Sequence, residues 1–214
     1  RITMAATDRY RLAVRELAWT PEQTGLSALA LVPARTLADT AKSLASADKV
    51  TVALSAGGSG DGLIGFEGSG RLTTSRLLDG EFPKYRSLLP TESQSVATVE
   101  TAALTESVRR VALVAERNSP IRLSFTDGAL TLEAGSGDEA QASESLDAGL
   151  AGDDISIAFN PGYLLDGLGA LDAAHARLSF TEPSRPAVLS GASTADAPVD
   201  DDYRYLLMPV RLSG

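Results

Sequence analysis

Shifting the first half of the chain by 128 residues lays it over the second, and no other feature restricts the fold as much. Ile2-Thr3-Met4-x-Ala6 meets Leu130-Thr131-Leu132-x-Ala134. Pro33 meets Pro161, each opening a helical pattern, and Lys49-Val50-Thr51-Val52 meets Arg177-Leu178-Ser179-Phe180. Identity is low, but the order of elements and the offset agree over most of the overlap. Such a chain is built from two copies of one α+β unit, the first lacking its opening helix and strands. A long-period repeat of whole domains suits arcs or rings better than a single catalytic cleft.

Local patterns fill in the two copies. Ile2, Met4 and Ala6, then Leu12 and Val14, alternate with polar neighbours as two strands around a Thr7-Asp8-Arg9 turn. Pro33 opens a helix to about Ala47, with Leu37, Ala41, Leu44 and Ala45 as its apolar stripe. Short strands are expected at Lys49–Ser55, Leu63–Glu67 and Leu72–Leu77. A glycine-rich hairpin tip at 56–62 separates the first two, and a strand follows it, which argues against a phosphate cradle. The polar stretch Thr91–Ala97 reads as a linker, dividing the chain into residues 1–95 and 96–214.

Beyond it, Thr101–Asn118 is expected to be helical, with Leu104, Val108, Val111, Ala112 and Ala115 on its stripe and Leu113 off it. An off-stripe Leu is usually just exposed, but can anchor an interface. Asp127-Gly128 signals a tight hairpin between Ile121–Thr126 and Ala129–Ala134. Strands at about Glu139–Leu146 and Asp154–Phe159 lead to Asn160-Pro161, a good cap and first turn for a helix to about Leu171. Ala176–Thr181, Ala187–Gly191 and Tyr203–Arg211 close the unit as strands, with Pro209 removing a ladder donor near the end.

Composition narrows the function by exclusion. With no Cys, disulfides and thiolate metal sites are out, which fits a reducing cytoplasm, and no apolar run approaches a membrane span. The start on Arg1, inside a strand pattern, predicts a fragment of a longer protein. His175 is the lone histidine and no Gly-x-Ser-x-Gly elbow accompanies it; Asp153-Asp154 and Asp200-Asp201-Asp202 lack the spacing of a calcium loop. No enzyme signature, metal site or cofactor is expected. The net charge of −9 is uneven: residues 1–97 hold 11 Lys+Arg against 10 Asp+Glu, residues 98–214 hold 8 against 18. Acidity argues against nucleic acid unless the few basic residues point the same way.

Three motifs, Ala6-Thr7-Asp8-Arg9-Tyr10-Arg11-Leu12-Ala13, Asp79-Gly80-Glu81-Phe82-Pro83-Lys84-Tyr85-Arg86-Ser87-Leu88-Leu89-Pro90 and Met208-Pro209-Val210-Arg211-Leu212, occur in the order and spacing of one family. With Phe159-Asn160-Pro161-x-Tyr163-Leu164-Leu165 they make the chain closely resemble the bacterial sliding clamps, the β subunits of replicative DNA polymerase. The Ala-, Gly- and Arg-rich usage suggests a high-GC actinobacterium.

The resemblance implies the DNA clamp fold: tandem α+β domains with helices facing a central hole and antiparallel sheets outside, three domains per protomer and a head-to-tail homodimer. Residues 1–95 correspond to most of the middle domain and 96–214 to the C-terminal domain. The implied function is to encircle duplex DNA without sequence preference as a processivity factor in the cytoplasm, at the nucleoid. The clamp holds polymerase III α, clamp-loader subunits and other motif-bearing proteins in a peptide pocket. A non-catalytic paralogue or decoy that binds the same peptides without encircling DNA is the alternative.

Carried over residue by residue, Thr7, Tyr10, Arg11 and Leu12 form one wall of that pocket and Pro83 and Leu88 its base. Leu206, Met208, Pro209, Val210 and Arg211 form the opposite wall, with Ser184 and Pro186 at the rim. Three positions depart from the family: Arg9 replaces a common glycine, Ser87 a common arginine and Val210 a frequent methionine. Arg35 is the foremost DNA-facing candidate, with Lys42, Arg109, Arg110 and Arg117 behind it. Leu113 and Val114 match positions that pack on the neighbouring protomer.

Overall fold

The computed structural model describes residues 1–22, 24–55, 62–115, 119–135 and 140–211. They form two compact units: Arg1–Trp19 with the residues from Arg86 onward, and Thr20–Tyr85.

The first unit is built on alternation. Strands β1 (Ile2–Thr7) and β2 (Arg11–Leu17) make a hairpin, and β2 pairs with β14 (Asp200–Leu207). From there an antiparallel seven-stranded sheet continues through β13 (Ala187–Ala192), β12 (His175–Phe180), β6 (Ser95–Glu100) and the short β10 (Gly149–Ala151). A second sheet has the order β11 (Ile155–Phe159), β7 (Ile121–Thr126), β8 (Ala129–Ala134), β9 (Ala142–Asp147). Helices α2 (Thr101–Val111) and α3 (Pro161–Gly169) pack on each other. Leu104, Val108, Leu164 and Leu168 from the helices share one core with Phe125, Phe159 and Phe180 of the strands.

The second unit is smaller. Helix α1 (Ala34–Ser43) accompanies a meander of β3 (Thr51–Leu54), β4 (Leu63–Gly68) and β5 (Arg71–Arg76). Ser69 and Gly70, at φ 49° and 72°, form the β4–β5 turn, both left-handed as a two-residue hairpin needs. Its core is Leu44, Ile64 and Phe66, with Leu37 and Leu77 packed against them.

The repeat is visible in the elements. β1, α1 and the β3–β4–β5 meander follow the order of β8, α3 and the β12–β13–β14 meander. The constant offset slips within the meander, where Leu63 and Ala187 open corresponding strands.

Several expected boundaries move, each for a packing reason. The supposed linker is half strand: Gln94 N–H donates to the Phe180 carbonyl at 2.8 Å, Ser95 opens β6, and the 95/96 division falls inside that strand. Helix α2 ends at Val111 and tightens into a 3-10 turn, Ala112–Val114, which packs Val114 against the core and leaves Leu113 84% exposed. In α1 the inward face is Leu37, Thr40 and Leu44, while Ala41 and Ala45 are exposed. Glu139 and the hairpin tip at 56–61 lie outside the described residues, as do Arg117 and Leu212.

Candidate protein-docking site

The β1–β2 turn is fastened by its first two side chains. Thr7 and Leu12 are register partners, leaving Asp8-Arg9-Tyr10-Arg11 as the loop. Asp8 Oδ1 accepts from the Tyr10 and Arg11 backbone N–H groups, each at 3.1 Å, and Thr7 Oγ1 donates to the Arg11 carbonyl at 2.7 Å. Thr7 Oγ1 also accepts the Arg9 N–H at 3.3 Å. This geometry puts Arg9 at φ 77°, a left-handed conformation that costs a side-chain-bearing residue about 1 kcal/mol and a glycine almost nothing.

Arg11 then ties the turn to α3 and β14. Its Nε donates to Asp8 at 2.9 Å, and its terminal nitrogen donates to Asp166 of α3 at 2.5 Å and to the Tyr205 hydroxyl at 3.4 Å. The guanidinium carbon lies 4.3 Å from the centroid of the Tyr163 ring, on which Tyr10 also stacks at 6.1 Å. Partial burial works against the Arg11 charge, but the bonds to Asp166, Tyr205 and Asp8 outweigh it and hold its pKa above the ordinary value. Burial alone would push Asp8 up; Arg11 and the turn N–H groups hold it below the usual carboxylate range.

Tyr205 completes the knot by donating its hydroxyl to the Tyr163 carbonyl at 2.8 Å. It fits under α3 because position 167 is glycine: a Cβ there would stand 2.6 Å from the Tyr205 ring. Burial raises the Tyr205 pKa, keeping the hydroxyl a donor.

The chain leaving β14 changes partners at Pro209. Met208 N–H donates to the Tyr10 carbonyl at 2.9 Å, Pro209 has no N–H, and Val210 N–H donates to the Ala158 carbonyl at 2.8 Å. Leu207 is the register partner of both Arg11 and Ala187. The turn, the strand exit and the loop ending in Pro186 therefore reach the same end of the sheet. Tyr10 is 60% exposed there, Met208 39% and Val210 36%.

Two expected wall residues do not offer surface. Leu12 and Leu206 face each other across the β2–β14 pair and are buried, on the sheet face opposite Ala13, Tyr205 and Leu207. Ser184 is exposed and Pro186 half-buried. Ser87 and Leu88 are exposed. Pro83 is exposed and belongs to the second unit. Tyr163, Asp166 and Tyr205 hold the site together without having been singled out for it; only Tyr163 carried a signal, as part of the Asn-Pro-x-Tyr motif.

The other candidates sort differently. Arg35 and Lys42 stand seven residues apart on α1, hence on one side of the helix, and both are exposed. Among the described residues, Arg35 has Asp39, at 4.0 Å, as its ion-pair partner. Arg110, expected on a free polar face, is instead held by Glu144 of β9, which also accepts from Ser107 at 2.9 Å. Arg109 pairs with Glu106 at 2.5 Å. Leu113 is exposed beside the half-buried Val114. Among the described residues no group of three or more His, Cys, Asp or Glu could hold a metal, and no helix is long and apolar enough to cross a membrane. Two surface depressions share Glu100 and His175, and neither includes a residue of the turn or of the β14 exit.

Comparison with known proteins shows the family. The family model for the DNA polymerase III beta subunit, central domain, matches residues 1–84, and that for its C-terminal domain matches residues 86–211. The beta sliding clamp of Streptomyces coelicolor is 63% identical over 213 residues, covering 100% of this chain and 57% of the relative. The beta sliding clamp homolog GriR of Streptomyces muensis is 52% identical over 206 residues, 96% of this chain and 54% of that protein. Among solved structures, the DnaN sliding clamp of Pseudomonas aeruginosa bound to griselimycin superposes with a TM-score of 0.84 at 28% identity, over 97% of this chain and 54% of that one. The chain thus spans little more than half the length of these relatives.

Proposed function

The chain belongs to the DNA polymerase III beta subunit family, the sliding clamps, and on that footing we propose that it is the middle-to-C-terminal part of a non-catalytic processivity factor. The whole protein encircles duplex DNA as a homodimer, in the cytoplasm at the nucleoid, and tethers polymerase, clamp-loader and repair proteins through short segments. Its middle and C-terminal clamp domains divide near residue 85, ahead of β6, rather than at 95/96.

The observation that carries the docking half of this reading is the sheet end where Tyr10, Met208 and Val210 are exposed around a turn locked by Arg11. Exposed apolar side chains on a rigid frame are what a partner's Leu or Phe anchors need, and a methionine adapts to more than one of them. Ser87, Leu88, Ser184, Pro186, Pro209 and Arg211 extend the surface, while Leu12 and Leu206 support it from within. A structural relative from P. aeruginosa holds griselimycin, which fits a clamp surface able to hold a ligand.

For DNA, Arg35 and Lys42 supply a sparse basic face suited to weak, sliding phosphate contacts. Arg109 and Arg110 are engaged by carboxylates and contribute less; Arg117 remains a candidate on sequence alone. Leu113 and Val114 belong to the proposed protomer interface. The test is loading of the full-length protein onto nicked circular DNA: retention on circles with release on linearisation is expected. Failure to load, with partner peptides still bound, would favour the decoy reading.

A further inference from the structure

Arg11 is the obvious cation for steering a partner segment, but its charge is already matched within the fold. Asp8, Asp166 and Tyr205 take the bonds of its Nε and of one terminal nitrogen, and the Tyr163 ring lies against one face. Those two carboxylates neutralise it within the fold. Two other guanidiniums at the same sheet end are in the opposite condition. Arg9, at the tip of the turn, and Arg211, just past the β14 exit, are both exposed, and among the described residues neither has an ion-pair or side-chain hydrogen-bond partner.

The residues between them, Thr7, Tyr10, Met208, Pro209 and Val210, carry no charge, and the only acid in the turn is the Asp8 already committed to Arg11. Arg9 moreover occupies a left-handed position that glycine would fill without strain. A strained, exposed, unpaired charge at a binding surface is a reasonable place to look for function rather than stability.

Resting on the docking reading above, we infer that this surface prefers segments whose apolar anchors are flanked by carboxylates, and that Arg9 and Arg211, not Arg11, read that charge. The occupant is an acidic, amphipathic peptide segment of a partner protein. In a chain of net charge −9 such a segment is disfavoured elsewhere on the surface, so two local cations also steer its placement. Arg9 and Arg211 are solvent-exposed, so each contributes a few-fold rather than a hundredfold in affinity.

Selection of random octapeptides displayed on phage against the 214-residue chain tests this, run in parallel on wild type, Arg9→Gln, Arg9→Lys and the Arg9→Gln/Arg211→Gln pair. Wild type is expected to enrich apolar anchors with Asp or Glu beside them, Arg9→Lys to keep that acidic enrichment, and the double variant to keep the anchors and lose the acids. A synthetic peptide from the wild-type pool should bind about threefold tighter than its Asn/Gln isostere per arginine, and the gap should close in 0.5 M salt. Melting curves confirm that the variants are folded. Apolar anchors without acidic enrichment on wild type, or acidic enrichment undiminished in the double variant, overturns the inference while leaving the docking reading standing. No apolar consensus on any of the four overturns the docking reading itself.

Discussion

In the first copy of the repeated unit, the chain leaving β5 is tied back where Leu78 N–H donates to the Leu31 carbonyl at 2.7 Å. In the second, the chain leaving β14 is tied back where Val210 N–H donates to the Ala158 carbonyl at 2.8 Å. Both acceptors lie just ahead of the proline that opens the helix. The surroundings of these two exits then diverge. Helix α1 has no side-chain cap and keeps Arg35, Asp39 and Lys42 exposed. Helix α3 is capped by Asn160, whose side chain accepts the Tyr163 N–H at 3.2 Å; it has no basic residue, and gives Asp166 to Arg11. One scaffold thus leaves its helix free with a basic face, while the other commits its helix to holding the β1–β2 hairpin at the sheet end. The proposed docking surface sits on elements of the common unit, set apart by the contacts that Arg11 makes to α3.

The sharpest break in that comparison separates residues that support the docking surface from residues that present it. Leu12→Ala removes a buried side chain and is expected to cost about 3 kcal/mol of folding stability by urea titration. Met208→Ala should change stability by less than about 1 kcal/mol, yet weaken a bound peptide by roughly 1–2 kcal/mol. Equal stability losses in the two would contradict the division. Arg11→Ala is next, at about 1 kcal/mol of stability, because it removes two part-exposed ion pairs and the packing on the Tyr163 ring; peptide binding should fall with it.

Part of this was legible in the chain. The repeat, the Asp127-Gly128 hairpin, the proline-opened helices and the turn motif at Thr7–Leu12 are local signals, and local signals survive in a sequence. What was not legible depends on partners far along the chain. Arg110 looks free until Glu144 arrives from β9, and Arg11 looks available until Asp166 arrives 155 residues later. Leu12 and Leu206 read as wall residues because their motifs are exposed in part; only the β2–β14 register shows that they face each other and are buried. The early end of α2 likewise follows from packing Val114 inward, which no helical period announces.

Smaller effects sharpen the contrast between the copies. Asn160→Ala should cost about 1 kcal/mol by removing the α3 cap, whereas Pro33→Ala at the uncapped start of α1 should cost less than half of that. A larger loss at Pro33 would erase the difference drawn between the helices. Arg9→Gly is expected to stabilise the chain by about 0.5–1 kcal/mol through relief of the left-handed residue, measured as a raised melting midpoint.

The mildest effect is on pH dependence. The Asp8 pKa is depressed in the folded chain, so its contribution is present above the unfolded value near 4 and lost as the pH falls through the folded value. The stability gap between wild type and Asp8→Asn should therefore narrow as the pH is lowered from 6 to 3. A gap that widens on acidification would contradict the sign.

The most direct measurement is a titration of the isotope-labelled 214-residue chain with a peptide selected on it, followed by backbone amide shifts. The shifts are expected to concentrate at residues 7–12 and 206–211, with α1 and the α2 end around Leu113 unmoved. Shifts centred on Leu113 and β9, or on the Glu100–His175 depressions, with the turn silent, would contradict the assignment of the docking surface.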